Sequence, residues 1–274
     1  MVTKLLVVGG GKMGEALVGG VLAAGWANPA EVVVSEVSPE RRDQLAAPGG
    51  LAARFPGLHV VAGQLPPAEG ALVAVKPHDV PDVCRRLAEG GATRVLSIAA
   101  GVRLADLEQW CGSSAAVLRA MPNTPALVGA AATALSPGTR AGHDDVEWAT
   151  AILASVGTVA PVPESQLDAV TGLSGSGPAY VFLVAEAMTE AGVLMGLPRA
   201  VAAELVVQTL LGSARLLRES GQSPEILRAA VTSPGGTTAE GLRRLEAAGT
   251  RSAFIEAVAA AAARSRELAA HSAS

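Results

Sequence analysis

Residues 5–14 constrain the fold more than any other segment of this 274-residue chain. Leu5-Leu6-Val7-Val8 is a short, uncharged apolar run, and it leads straight into Gly9-Gly10-Gly11-Lys12-Met13-Gly14. A GxGxxG turn between a strand and a helix has a defined physical use. Gly9 permits the tight turn, Gly11 lets the backbone approach a pyrophosphate, and Gly14 allows the helix to pack closely. A diphosphate would rest on the unsatisfied N–H groups at the helix start, beside Lys12 and Met13. The bare pattern is weak evidence by itself. The strand, the helix and the position near the start of the chain supply the context it needs.

The next 150 residues repeat the same alternation. Apolar runs at Val32–Val34, Leu72–Val75, Val95–Ile98 and Ala115–Leu118 alternate with helical patterns near Met13–Ala24, Pro39–Ala46, Val80–Ala88 and Leu104–Trp110. Two more strand-like runs, Ala131–Leu135 and Thr158–Val162, flank a helix near Asp145–Ser155. Such alternation implies a parallel sheet covered on both faces. Beyond Gln166 only helical stretches remain: Pro178–Met195, Pro198–Glu219, Pro224–Val231, Ala239–Ala247 and Arg251–Ala269. Several open on Pro, which costs no hydrogen bond in a first turn. The expected fold is an α/β Rossmann-type dinucleotide-binding domain (1–163) followed by an all-α helical domain (164–274).

Charge and cysteine content exclude several classes. A formal net charge of −4 gives no basic footprint for a nucleic acid. Cys84 and Cys111 form no CxxC pair and have no His at ligand spacing, so no metal site is expected. Two lone thiols suit a reducing compartment. The Leu5–Val8 run is too short for a signal peptide, and the uncharged stretch Ala120–Thr139 is broken by Pro122, Pro125 and Pro137. A soluble cytoplasmic protein without a membrane span is the expectation.

Other site candidates fall where strand ends meet loops, the place ligands bind in open α/β sheets. Glu36 ends the second strand, 22 residues after Gly14, where an acid hydrogen-bonds the ribose of NAD and repels the 2′-phosphate of NADP. Arg41 and Arg42 lie just downstream, within reach of a phosphate, but read better as solvated residues on a first helical turn. Cofactor choice therefore leans toward NADH. Lys76 follows an apolar strand and suits a cofactor-facing role, whereas His78 reads as an exposed loop residue.

The absence of certain residues narrows the chemistry. Carbonyl reduction needs a proton donor for the developing alkoxide, usually His, Lys or Tyr. The chain has only three lysines, Lys4, Lys12 and Lys76, so the helical domain has none. It has one His, His271, and one Tyr, Tyr180, which sits among apolar neighbours and reads as packing. A protonated C=N bond accepts hydride without a strong side-chain acid, so the composition favours an imine. The substrate-site candidate is Val231-Thr232-Ser233-Pro234-Gly235-Gly236-Thr237-Thr238-Ala239-Glu240. Its Thr-x-x-Glu ends could be a capping box, and its hydroxyls at a helix start could equally clamp a carboxylate. Ser174–Pro178 could shape a helix contact or let backbone approach a nicotinamide.

These segments resemble those of the pyrroline-5-carboxylate reductase family. The resemblance includes Gly9–Gly14, Ala74–Pro77, Met121–Pro125, Asp168–Thr171 with Leu173–Tyr180, Arg264–Leu268 and, most specifically, Ser233-Pro234-Gly235-Gly236-Thr237-Thr238. It implies reduction of 1-pyrroline-5-carboxylate to L-proline by NADH or NADPH, the last step of proline biosynthesis. It also implies that Ser233, Gly236, Thr237 and Thr238 bind the substrate carboxylate, with Thr238 as the catalytic residue near the imine nitrogen. Thr171 and Val231 would line the same pocket. Lys76, Pro77, Ala100, Gly101, Met121, Pro122, Asn123 and Thr124 would line the nicotinamide side. A homodimer interlocked through the helical domain, and decamers of five dimers, follow from the same likeness. Apolar helical segments such as Val201–Leu211 suit such an interface. One departure bears on the cofactor: the family's adenosine-side loop often carries Asn, and here it reads Val60-Val61-Ala62-Gly63-Gln64.

Three other readings compete. Reduction of a six-membered cyclic imine acid uses the same chemistry. A β-hydroxyacid-type dehydrogenase shares the two-domain plan but needs a catalytic lysine after the first domain, and none follows Lys76. A non-catalytic dinucleotide-binding regulator would have no use for the hydroxyl-rich loop.

Overall fold

The computed structural model describes residues 3–271, and the side chains through Ala269. The outermost residues of the two expected domains, and the side chain of His271, lie outside that range. Eight strands form one sheet: β1 (Leu5–Val8), β2 (Val32–Ser35), β3 (His59–Val61), β4 (Ala71–Val73), β5 (Arg94–Ser97), β6 (Ala116–Met121), β7 (Ala131–Pro137) and β8 (Gly157–Pro161). Their order is β3-β2-β1-β4-β5-β6-β7-β8. All neighbours pair parallel except β6 and β7. The direction of strand progression reverses between β1 and β4, and that switch point is where a doubly wound sheet opens a crevice.

Consecutive residues of each central strand serve opposite faces. Leu5 and Val7 join a core layer with Leu17, Val21, Ile152 and Leu153 from helices α1 (Lys12–Ala23) and α6 (His143–Ala154). Leu6 and Val8 join a second layer with Val83, Leu87 and Leu107 from α4 (Val80–Glu89) and α5 (Leu104–Cys111). Both faces of the sheet are therefore dry, as the charge-free strand runs require. The sequence reading differs at two places. The short strand β3, mostly half-exposed, has no apolar run to announce it. The run Leu72–Val75 is strand only through Val73, and Ala74 already belongs to the crevice wall.

After β8 the chain makes a short helix α7 (Leu167–Val170) and a π-turn, Thr171–Gly175. Arg119, buried in β6, is neutralised by Glu164 at 2.8 Å, and the same carboxylate accepts the Leu104 N–H. The remaining helices are α8 (Gly177–Leu194), α9 (Arg199–Ser220), α10 (Pro224–Ala230), α11 (Thr237–Ala247) and α12 (Thr250–His271). Pro198 caps α9 from outside rather than opening its first turn.

The described residues divide into two compact units. Unit 1 runs through Ser176 and resumes at Ala260; unit 2 is Gly177–Ala259. Unit 1 holds the sheet, and within it the Ser265 hydroxyl bonds Asp168 at 2.6 Å. In unit 2, α8 and α9 cross closely, since a Cβ on Gly192 would lie 3.0 Å from that of Ala202. Arg199 and Glu190, 2.9 Å apart, close the turn between them. Yet Ala202 and Val206 are the only buried apolar residues of this unit among the described residues. Val181, Phe182, Leu183, Leu205, Leu211 and Ile255 are exposed. By length and composition α9 could cross a membrane.

Candidate active site

In unit 1 the glycine turn lies at the sheet's switch point and opens a cleft of about 720 Å³. Gly9 has φ +102°, and a Cβ there would stand 2.6 Å from the Ala74 carbonyl oxygen. A Cβ on Gly14 would meet the Gly9 carbonyl at 2.1 Å, so no side chain fits at that position either. Gly11 differs: it is exposed, and a Cβ would touch nothing in the protein within 4 Å. It is also the N-cap of α1, with no side chain satisfying the helix's first donors. An open backbone surface with free N–H groups is what a diphosphate requires. Gly9, Gly11, Lys12 and Met13 line the cleft, and Gly14 supports it from behind.

Beyond the turn, the wall carries Glu36, Lys76, Pro77, Ala100, Met121, Pro122 and Thr124. Gly101 is not part of it; this residue is buried with φ +75°, facing the backbone of Ala269. Asn123 is also turned away. Its amide donates to the Ser174 carbonyl at 3.0 Å and accepts from the Ala132 N–H at 2.9 Å, which ties the β6 loop to the π-turn. Val37, Gly63, Leu65, Val83 and Arg86 also line the cleft. The likeness to the family's adenosine-side loop reaches Gly63 alone of these five, and no sequence signal marks the other four.

Glu36 is half-buried, and both its oxygens are engaged. One accepts the Gly10 N–H and the other the Ser38 N–H, each at 2.8 Å. The reading of Arg41 and Arg42 as solvated residues fails. Helix α2 (Pro39–Ala46), which the short α3 (Leu51–Arg54) follows, carries Arg41 back over the glycine turn. The Arg41 side chain is 17% exposed; it donates to the Gly10 carbonyl at 2.6 Å, to Gln44 at 2.9 Å and to Glu15. Arg42 donates to the carbonyls of Glu36 and Val37.

The other substrate candidates divide between the units. Thr171 belongs to unit 1; it opens the π-turn and donates its hydroxyl to the Leu167 carbonyl at 2.8 Å. In unit 2, Val231 follows α10 and is exposed. Thr232 donates to the Arg228 carbonyl at 2.6 Å. Gly235 adopts φ +68°, and the Gly236 N–H folds back onto the Ser233 carbonyl at 3.0 Å. A Cβ on Gly236 would fall 2.5 Å from the Ser233 hydroxyl oxygen, so glycine keeps that oxygen accessible. The capping-box reading fails here, because Gly236 is the N-cap of α11 and Thr237 its first residue. Glu240 instead pairs with Arg243 at 2.6 Å. Among the described residues no protein group bonds the side chains of Ser233, Thr237 or Thr238. Hydroxyls and unpaired N–H groups at a helix start suit a carboxylate. No cluster of His, Cys, Asp or Glu among the described residues could hold a metal.

Comparison with known proteins agrees with these features. Residues 164–268 match the pyrroline-5-carboxylate reductase dimerisation family, and residues 4–101 match the coenzyme F420-dependent NADP oxidoreductase family. The first match is to a dimerisation domain, and it covers the helices whose apolar faces are bare in the single chain. A pyrroline-5-carboxylate reductase of Synechocystis sp. is 45% identical over 98% of this chain and 99% of its own length. One of Mycobacterium tuberculosis is 42% identical over 97% and 96%. The structure of a Coxiella burnetii pyrroline-5-carboxylate reductase superposes with TM-score 0.88 at 37% identity, covering 98% of this chain and 99% of that one. The Plasmodium falciparum pyrroline carboxylate reductase with NADP bound gives 0.83 at 28% identity, with 97% and 98% covered. With an α/β nucleotide cleft, an exposed hydroxyl loop and full-length relatives above 40% identity, this chain belongs to the pyrroline-5-carboxylate reductase family.

Proposed function

We infer that the protein reduces 1-pyrroline-5-carboxylate to L-proline, the last step of proline biosynthesis. When bound, NADH or NADPH supplies the hydride for the imine carbon. The chain's residues then have three tasks: to seat the dinucleotide, to fix the substrate carboxylate, and to leave the ring nitrogen protonated. Gly9, Gly11, Lys12, Met13 and Gly14 carry the first, with Glu36 at the ribose end. Lys76, Pro77, Ala100, Met121, Pro122 and Thr124 shape the nicotinamide side. Gly101 and Asn123 support that side from behind.

Ser233, Gly236, Thr237 and Thr238 hold the carboxylate with Val231 beside them in unit 2, and Thr171 is the substrate-side residue of unit 1. Thr238 places a hydroxyl at the imine nitrogen. That nitrogen arrives protonated, so catalysis needs positioning more than a strong acid. The observation that carries this reading is the set of three unpartnered hydroxyls at the α11 start.

The division into a dinucleotide domain (1–163) and a dimerisation and substrate domain (164–274) belongs to the same reading. So do a cytoplasmic location, decamers built from five dimers, and α9 as an interface helix rather than a membrane span. The test is NADH and NADPH oxidation with racemic pyrroline-5-carboxylate, followed by proline detection. Turnover with proline formed is expected. Faster turnover of the six-membered homologue would reassign the substrate, and no turnover with either would remove the enzymatic reading.

A further inference from the structure

We propose that Arg41 is a positioning residue for the diphosphate: it fixes the Gly10 carbonyl and thereby aims the Gly11 N–H into the cleft. Gly9, Gly10 and Gly11 are consecutive glycines, each free to occupy conformations closed to other residues. Left alone, such a turn would have to be ordered by its ligand at an entropic cost. Here both peptide groups of Gly10 are held. Its N–H donates to Glu36 at 2.8 Å, and its carbonyl accepts from Arg41 Nε at 2.6 Å.

The second contact matters because the peptide is planar and trans, so its C=O and N–H point in opposite directions. Drawing the Gly10 carbonyl toward α2 turns the Gly11 N–H the other way. Gly11 is exposed on the cleft wall, and no protein group takes its N–H among the described residues. Arg41 is itself anchored by Glu15 on α1, by Gln44, and by the Ser38 cap, whose oxygen accepts the Arg41 N–H at 3.3 Å. Its Nε, Nη1 and Nη2 each already serve a protein acceptor, so the guanidinium is placed by the protein and not by a 2′-phosphate. Arg41 therefore acts equally on NADH and NADPH.

This inference rests on the dinucleotide reading of the cleft and not on the identity of the imine. Its test is binding of ADP, NADH, NADPH and adenosine to the full-length protein by calorimetry. Arg41→Met should weaken ADP, NADH and NADPH by one common factor of roughly tenfold or more, the size of a lost hydrogen bond to a charged group. Adenosine, which lacks the diphosphate, should bind as before. In turnover the cofactor KM should rise while kcat at saturation is kept, and Arg41→Lys should recover part of the loss. Glu15→Gln, which frees Arg41 without removing it, should shift all three phosphate-bearing ligands in the same direction by less. It serves if Arg41→Met does not fold. A loss confined to NADPH would make Arg41 a 2′-phosphate ligand and overturn the proposal. So would unchanged ADP affinity, or an equal loss for adenosine. If the wild-type protein bound no ADP, the dinucleotide reading itself would fail.

Discussion

Unit 1 and unit 2 are built from similar proportions of apolar residues, yet they use them in opposite ways. In unit 1 nearly every large apolar side chain of the sheet is sealed between α1 and α6 on one face and α4 and α5 on the other. In unit 2 most large apolar side chains of α8, α9 and α12 are exposed, and among the described residues only Ala202 and Val206 are buried apolar residues of this unit. A region with so little interior of its own cannot offset the conformational entropy of five helical segments. The difference teaches that unit 1 carries its own interior, whereas unit 2 leaves its apolar faces for a partner, as a dimerisation domain requires. It follows that a change on α9 and a change in the sheet core should fail differently.

The largest effect is expected from Leu211→Glu in the middle of α9. An unpaired carboxylate placed in a dimer interface costs several kcal/mol. Sedimentation should show the dimer lost, and imine reduction should fall by about a hundredfold or more, the fold-change that such a penalty represents. Binding of ADP to unit 1 should stay within about threefold of wild type, since surface changes remote from a site are near neutral. A variant that stayed dimeric, or that lost ADP binding as well, would break the contrast between the units.

How much of this contrast was legible beforehand depends on which physical term decides each feature. The sheet was legible because strands buried on both faces must be apolar throughout, so Leu5–Val8 and Val32–Val34 announce themselves. Strand β3 was not, because an edge strand with half-exposed residues needs no such run. Gly9, Gly11 and Gly14 were legible as a group, although only the structure separates the open Gly11 from the sterically required Gly9 and Gly14. The Ser233–Thr238 loop was legible by composition, but its capping was not. Whether Thr237 is a cap or the first helical residue depends on backbone angles at Gly235 and Gly236, which no side-chain pattern encodes. The burial of Arg41 is hidden from the sequence for the same kind of reason. Its partners Gly10 and Glu15 are 31 and 26 residues away, so the contacts that desolvate it are tertiary. Asn123 reads as a site residue by motif, but its amide is taken up by Ser174 and Ala132.

A matched pair of leucine truncations sharpens the comparison at an intermediate size. Leu107 is fully buried in unit 1, whereas Leu216 on α9 is 54% exposed in the single chain. Leu107→Ala should lower unfolding free energy by about 3 kcal/mol through lost transfer energy and the cavity left behind. That loss should not depend on protein concentration. Leu216→Ala should cost less, about 1 kcal/mol, and should register mainly as a weaker dimer whose melting temperature falls on dilution. Denaturant titrations at two protein concentrations check both. Equal, concentration-independent losses would mean that unit 2 has an interior of its own.

The smallest effect uses the two thiols as reporters of unit 1. Cys84 on α4 and Cys111 on α5 are both free and fully buried. The hydrogen bond with Cys111, together with burial, pushes the Cys84 thiol above its ordinary range, so it stays protonated where an exposed thiol would ionise. The same hydrogen bond holds the Cys111 thiol below its ordinary range, so it is burial of both side chains, which keeps the reagent out, that should leave native protein almost unlabelled by maleimide. Unit 2 contains no cysteine, so this signal is silent about the dimer interface. The telling sample is therefore the dissociated Leu211→Glu variant. If unit 1 is stabilised within its own chain, labelling there should remain as slow as in the wild type and become fast only in denaturant. Rapid labelling of the dissociated variant under native conditions would show that the sheet also depends on the partner, and the distinction between the two units would reduce to one of degree.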